Sequence, residues 1–293
     1  MREKLEVSER RACEVLGQSR STQRYSVQED ESEKRLVKRM LELVGQHPRF
    51  GHRRIRILLQ QEGWKVNRKR IYRLWVAEGL KVPRKVRKKR AVGTKASGCV
   101  RRQAEYKNHV WTWDFIFDRT ANGRSIKILS IVDEFTRECL ALPVSRKLKS
   151  TEVLDVLADL FVIRGIPKCI RSDNGPEFVA KAIQNWLKKA GVETLYITPG
   201  SPGENGFVES FHSRLRDELL NLEVFDNVPH AQALAAAWKN DYNHRRPHSA
   251  LDYQAPAAFA AGCLSSAPAS TPTLQPGSPP QTNPLPISQP LLS

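Results

Sequence analysis

The apolar pattern of this 293-residue chain changes period once, close to residue 108, and that change limits what the chain can fold into. Before it the spacing is helical. Leu36, Val37, Met40, Leu41, Leu43 and Val44 recur at three and four between Glu33 and Val44, followed by Ile55, Leu58 and Leu59 and then by Ile71, Leu74 and Trp75. After it, WTWDFIFD (111–118), SIKILSIVD (125–133) and ECLALPV (138–144) read as strands with short connections. The first connection carries Asn122-Gly123, a hairpin turn signal. A single sheet or a single helical bundle cannot satisfy both halves, so two architectures are expected in one chain.

The turn and cap residues refine this. Ser8 caps a short helix that Gly17 stops, and a further helical turn follows it. His47-Pro48 and Gly51 separate the helix over 33–44 from one over 53–61, Gly63 breaks the second, and Asn67 caps a third that ends near Gly79. Beyond the three strands, Ser150 caps an amphipathic helix through Arg164 that Gly165 and Pro167 end; 168–172 reads as a strand, 179–190 as a helix, 193–197 as a strand and 207–220 as a longer helix. A meander followed by helix–strand–helix–strand–helix implies an α/β fold, a mixed sheet flanked by helices. A further helix covers 230–242. The segment 264–293 holds eight Pro and no charged residue and is expected to be a disordered tail. The implied organisation is an N-terminal helical segment (1–32), a small all-α helix-turn-helix-type domain (33–80), a basic linker (81–107), the α/β core (108–225), a helical extension (226–263) and the tail.

Charge follows the same division. Residues 52–107 hold eight Lys and eleven Arg against Glu62, Glu78 and Glu105, which is nearly the whole net charge of +17. Charge serving solubility alone would be dispersed; concentrated charge points to a phosphate backbone or another polyanion. On the third helix Arg68, Lys69, Arg70 and Arg73 avoid the Ile71–Leu74–Trp75 stripe, so residues 68–78 read as a recognition helix for DNA. A small bundle with a solvated basic face would give the same pattern.

Several function classes are excluded or disfavoured. The five cysteines (Cys13, Cys99, Cys139, Cys169 and Cys263) are scattered and form no CxxC pair, against a disulfide framework or a cysteine-rich zinc site. His47 and His52 lack partnering cysteines and read as loop and helix-start residues. No uncharged apolar run reaches 18 residues, and MREKLEVSERR has no apolar signal region, so no membrane partner and a cytoplasmic location are expected.

The candidate chemistry lies in three carboxylates. Strand alternation puts Trp111, Trp113, Phe115 and Phe117 on one face of the first strand, and Thr112, Asp114, Ile116 and Asp118 on the other. Asp114 is thus a mid-strand acid among apolar neighbours, where a cation or a basic partner would offset its burial. Asp173 ends a short strand and opens the turn SDNGPEF, at a strand's carboxyl end where α/β folds gather ligands. Glu209 lies near the start of a helix, where the helix dipole alone would suit an acid. With 31 acids in 293 residues, roughly three acid pairs fall at any chosen separation by chance, so spacing by itself decides nothing. Asp118 is about 13 Å along an extended strand from Asp114, too far to share its site. Asp133, His212, His244 and His248 are left outside the candidate site.

The order WTWDFIFD, RSDNGPEF, TPGSPGENGFVESFHSRLRDE, with YNHRRPHSAL (242–251) and the helices of 33–80, resembles the OrfB-type transposases of bacterial insertion sequences, which belong with retroviral integrases to the RNase H-like DDE superfamily. The 35 residues between Asp173 and Glu209, and Arg216 seven positions beyond the glutamate, match that group's signature. The resemblance implies an RNase H-like core and a polynucleotidyl transferase with Asp114, Asp173 and Glu209 as ligands of Mg²⁺ or Mn²⁺. Two ions about 3.5–4 Å apart would clamp the scissile phosphate. Water as nucleophile would nick DNA at the element's end, and the freed 3′-hydroxyl would join that end to another strand. Arg216, about 10 Å along the helix from Glu209 on the same face, is expected to contact the transposon-end backbone or else to pair with Asp217 or Glu218. Asn174 would support the metal site or only shape the turn.

The implied partners are terminal inverted repeats, target DNA, further copies of the chain on paired ends, and an upstream OrfA-type protein or frameshift fusion. Two alternatives keep the fold and change the function: an RNase H-like nuclease that never joins, and a catalytically silent DNA-binding regulator.

Overall fold

A computed structural model describes residues 7–25, 31–82, 102–172, 181–197 and 206–263. Two short helices come first: α1 (Glu9–Val15), capped by the Ser8 hydroxyl, and α2 (Arg20–Arg24). The helices α3 (Glu31–Gln46), α4 (His52–Gln61) and α5 (Arg68–Ala77) then close on one core of Leu36, Met40, Ile55, Leu59, Ile71 and Trp75. The Asn67 carboxamide caps α5 by accepting from Arg70 N–H at 2.7 Å. These are the apolar stripes and the cap that the sequence spacing predicts.

The second unit is a six-stranded mixed sheet. Its strands are β1 (Val110–Arg119), β2 (Ser125–Asp133), β3 (Cys139–Ala141), β4 (Val144–Ser145), β5 (Cys169–Ser172) and β6 (Glu193–Tyr196), ordered β3-β2-β1-β5-β6 with β4 also on β2. β1 and β2 form the expected hairpin, with Asp114 opposite Ser130 and Gly123 at φ +78° in the connection. β5 runs parallel to β1, and β6 parallel to β5. The run 138–144, predicted as one strand, is two short pieces, because Pro143 cannot donate to the ladder and the pairing shifts register at Ile131/Val132.

Helices cover both faces. On one lie α6 (Ser150–Arg164) and α7 (Lys181–Lys189), packed with Trp111, Trp113, Leu129 and Ile170. Ser150 is the first residue of α6 and Lys149 its cap, one position from the sequence expectation; the Glu152 carboxylate accepts the Lys149 backbone N–H. On the other face lie α8 (Gly206–Leu215), continued by a π-helical turn over Arg216–Leu220, and α9 (Val228–His244), packed with Ile116, Ile128, Val132 and Cys139. Buried Asn243 of α9 clamps the β3 edge, accepting from Cys139 N–H and donating to Cys139 C=O, both at 2.9 Å. An otherwise open strand edge is covered in this way. A turn over Ser249–Leu251 and α10 (Pro256–Ala261) complete the extension.

The two units touch at the π-helical turn. Arg49, between α3 and α4, donates to Asp217 at 2.5 Å, and Arg54 of α4 donates to Glu218 at 3.2 Å. Arg246, 2% exposed, donates to both Glu218 oxygens at 2.7 Å. No helix among the described residues is long and apolar enough to cross a membrane.

Candidate active site

Strand alternation delivers Asp114 to the α8 side of the sheet, because Trp111 and Trp113 fill the opposite core. The side chain is half-buried, and its Oδ1 accepts the Phe115 N–H at 2.7 Å. Its cross-strand partner Ser130 donates through Oγ to Asp114 C=O at 3.0 Å. Above this pair lies His212 of α8, with Nε2 2.7 Å from Ser130 Oγ and Nδ1 3.7 Å from Asp114 Oδ2. A hydroxyl has one proton to give. If Ser130 gives its own to Asp114 C=O, it accepts from the His212 Nε2–H, and the Nδ1 lone pair is turned towards the carboxylate. Burial, with the nearby Arg216 charge, lowers His212 to about 4, so the ring is neutral at pH 7.

Glu209 lies three residues before His212, about 60° away around the helix axis, in the exposed first turn of α8. The helix that carries Glu209 therefore packs on the strand that carries Asp114, with His212 between them. β5 lies beside β1, and its last residue, Ser172, immediately precedes Asp173. Asp173 and Asn174 lie outside the described residues, as do most of the basic linker, the SPGEN segment before α8 and the tail. Among the described residues no group of three His, Cys, Asp or Glu side chains gathers as a metal cage. The donors that are described, carboxylate oxygens on a half-open face, suit a hard divalent ion.

The neighbouring acids have other work. Asp133 is buried, and its carboxylate accepts from the N–H groups of Asn108 (2.8 Å), Phe135 (2.7 Å) and Thr136 (3.0 Å), which builds the turn after β2. Burial raises its pKa, against the pull of those bonds. Asp118 accepts from Arg119 N–H at 2.8 Å, near the far end of β1. Asp217 and Glu218 are held by Arg49, Arg54 and Arg246, and exposed Arg216 makes no ion pair with either.

On the proposed recognition helix the four cations separate. Arg70 and Arg73 donate to Glu33 at 3.4 and 2.5 Å, whereas Arg68 and Lys69 are exposed and meet no acid among the described residues. Sequence reasoning missed Glu33 as their counter-ion and His212 as a neighbour of Asp114. The spacing of three between Glu209 and His212 was the available signal for the second.

Comparison with known proteins finds matches to two kinds of domain. Residues 31–90 match the model of an HTH-like domain, residues 104–202 that of an integrase core domain, and residues 190–256 a second integrase core model. The fold, the site and these matches together define an integrase-core protein behind a helical HTH-like domain. The 31.7 kDa protein of insertion element IS407 of Burkholderia multivorans is 42% identical over 89% of this chain and 93% of its own length. The 39.2 kDa protein of insertion element IS476 of Xanthomonas euvesicatoria is 39% identical over 89% and 75%. The transposase of insertion sequence element IS904 of Lactococcus lactis is 26% identical over 72% and 87%. The chain belongs to the integrase-core transposases of bacterial insertion elements.

Proposed function

We propose that this transposase cleaves DNA at the ends of its own element and joins the freed ends to new DNA, using divalent metal held by Asp114, Asp173 and Glu209. The observation that carries the reading is the packing of the Glu209 helix onto the Asp114 strand, where His212 lies 3.7 Å from the Asp114 carboxylate. Asp173 enters because it follows Ser172 directly and β5 lies beside β1. When bound, Mg²⁺ or Mn²⁺ supplies charge stabilisation at the attacking and leaving oxygens of the phosphodiester. The protein's own part is positional. Asp114 is fixed by a strand ladder and by its bond to Phe115, Glu209 is fixed by a helix buried through Val208, Phe211 and Leu215, and Ser130 and His212 hold strand and helix in register.

Exposed Arg68 and Lys69 support contact with terminal-repeat backbone by α5, and exposed Arg216, which meets no acid among the described residues, supports a contact beside the scissile phosphate. Assembly of several copies on paired ends, and cooperation with an OrfA-type protein or fusion, complete the reading. The test incubates the full chain with labelled terminal-repeat duplex and Mg²⁺, beside Asp173→Ala. Nicked and joined products from the wild type alone are expected. Nicking without joined products would leave only a nuclease, and equal products from the variant would overturn the metal assignment.

A further inference from the structure

Within the helical unit, residues 31–82, two large apolar side chains among the described residues are more than half exposed: Tyr72 at 53% and Val76 at 58%. Both lie on α5, one turn apart. Counted around the helix axis from Arg68 they stand at about 40° and 80°, with Lys69 at about 100° and Arg73 at about 140°. The exposed face of α5 therefore has an apolar centre and cations on both flanks. Ile71, Leu74 and Trp75 are turned away from it into the core of the unit.

Apolar residues scattered singly are ordinary on a protein surface. These two adjoin each other, and the first is held in place. The Tyr72 ring lies 5.0 Å from that of His52, the first residue of α4, tilted by 60°, and His52 lies 6.3 Å from buried Trp75. Burial first, and then the charges of Arg53 and Arg68, lower His52 below its ordinary value, so a neutral ring backs the tyrosine at pH 7. Arg53 is exposed, so the positive face continues from α5 onto the first turn of α4. An aromatic ring that is already held loses less freedom when a partner covers it.

The surrounding charge identifies the partner. Arg68 and Lys69 are exposed and meet no acid among the described residues, and the Arg73 side chain is 66% exposed although Glu33 accepts from it. A face of this sign fits a phosphate backbone. Phosphate contacts fix the register of a protein on DNA, and base edges carry the sequence. An α-helix fits the major groove, where the apolar group on display is the thymine C5-methyl. The apolar pair at the centre of α5 matches that methyl, and the cations beside it match the phosphates that border the groove.

We propose that Tyr72 and Val76 read the sequence of the terminal repeat by packing on thymine methyl groups in the major groove, with Arg68 and Lys69 on the bordering phosphates. The inference rests on the DNA contact by α5 proposed above and adds the residues that give it sequence preference.

Affinity is measured over a range of salt for a terminal-repeat duplex, for the same duplex with uracil in place of every thymine, and for a scrambled duplex of equal length. The full chain is compared with Tyr72→Ala/Val76→Ser and Tyr72→Phe/Val76→Ile. The wild type should prefer the terminal repeat and weaken at least about fivefold when the thymine methyls are removed, the smallest effect typical of one mismatched base pair. Tyr72→Ala/Val76→Ser should weaken as much on the terminal repeat, show no uracil effect, and keep both its affinity for scrambled DNA and its salt slope, because every cation is retained. Tyr72→Phe/Val76→Ile keeps the apolar surface and should keep the preference. Equal wild-type affinity for the thymine and uracil duplexes would overturn the proposal. So would an undiminished uracil effect in Tyr72→Ala/Val76→Ser, or equal losses by that variant on terminal-repeat and scrambled DNA. Sedimentation of the DNA-free proteins tests a protein occupant: smaller species in Tyr72→Ala/Val76→Ser, with its DNA preference intact, would make this face a contact between copies of the chain and overturn the base reading. Cleavage of the terminal repeat is followed in the wild-type samples. A methyl-dependent preference without cleavage would sink the transposase chemistry and leave the base reading standing, whereas cleavage without that preference would sink the base reading alone.

Discussion

Replacing Glu218 by Gln removes the carboxylate that two guanidiniums share where the helical domain meets the core. Arg246 donates to both of its oxygens at 2.7 Å and Arg54 to one at 3.2 Å. The side chains of Glu218 and Arg246 are 7% and 2% exposed, so water can replace little of what is lost. Removing one partner of such a buried pair costs about 3–5 kcal/mol, against about 0–1 kcal/mol for an exposed one. Arg54 is more accessible, and burial with the Arg246 charge already lowers it to about 10, so it adds less than Arg246 does. The expected loss is therefore at the lower end, about 3 kcal/mol. Urea unfolding of the wild type, Glu218→Gln and Glu218→Gln/Arg246→Met reads it directly. The double variant, which leaves no buried charge unpaired at Arg246, should recover at least half of the loss. A single-variant loss below about 1 kcal/mol would show that the pair behaves as a surface contact and would refute the burial argument.

Three further outcomes follow from the same geometry. His248 is lowered to about 3, so as pH falls below the unfolded value near 6.5 the unfolded chain takes up a proton that the folded chain refuses. The contribution of the neutral ring is complete above pH 6.5 and is lost as pH falls towards 3; between pH 6.5 and 5 the wild type should lose stability more steeply than His248→Gln by up to about 1.4 kcal/mol per pH unit, and parallel curves would contradict this. His212→Ala should reduce cleavage at least tenfold with DNA affinity unchanged, while His212→Asn, which can still bond Ser130, should retain more; equal rates in the two variants would remove His212 as a positioning residue. Arg68→Gln/Lys69→Gln should lower the salt slope of DNA binding by about two, and Arg70→Gln, which loses a side chain already facing Glu33, should change it less.

What the sequence revealed is what local periodicity and caps determine. Alternation along 111–118 separated the Trp face from the Asp114 face, and Ser8, Asn67 and Gly165 marked helix ends that the fold keeps. It also favoured Asp114 over Asp118 as the first candidate. The failures are tertiary. Ser130 and His212 are 82 positions apart, and Arg49 and Asp217 are 168 apart, so no window of sequence joins them. Arg70 and Arg73 kept their predicted helix, yet Glu33 of α3 occupies them, which halves the free charge that helix spacing assigned to α5. The π-helical turn over Arg216–Leu220 has no compositional signal; its Asp217 and Glu218 became docking residues because it packs beside α4.

The central claim is that three carboxylates form one metal site, and metal binding tests it without any turnover. Mn²⁺ is titrated calorimetrically into the full chain and into Asp114→Asn, Asp173→Asn and Glu209→Gln, with DNA affinity measured for each. The account predicts that every variant binds the ion at least tenfold more weakly than the wild type while binding DNA as well as it does. Wild-type Mn²⁺ affinity in any one of the three would contradict it.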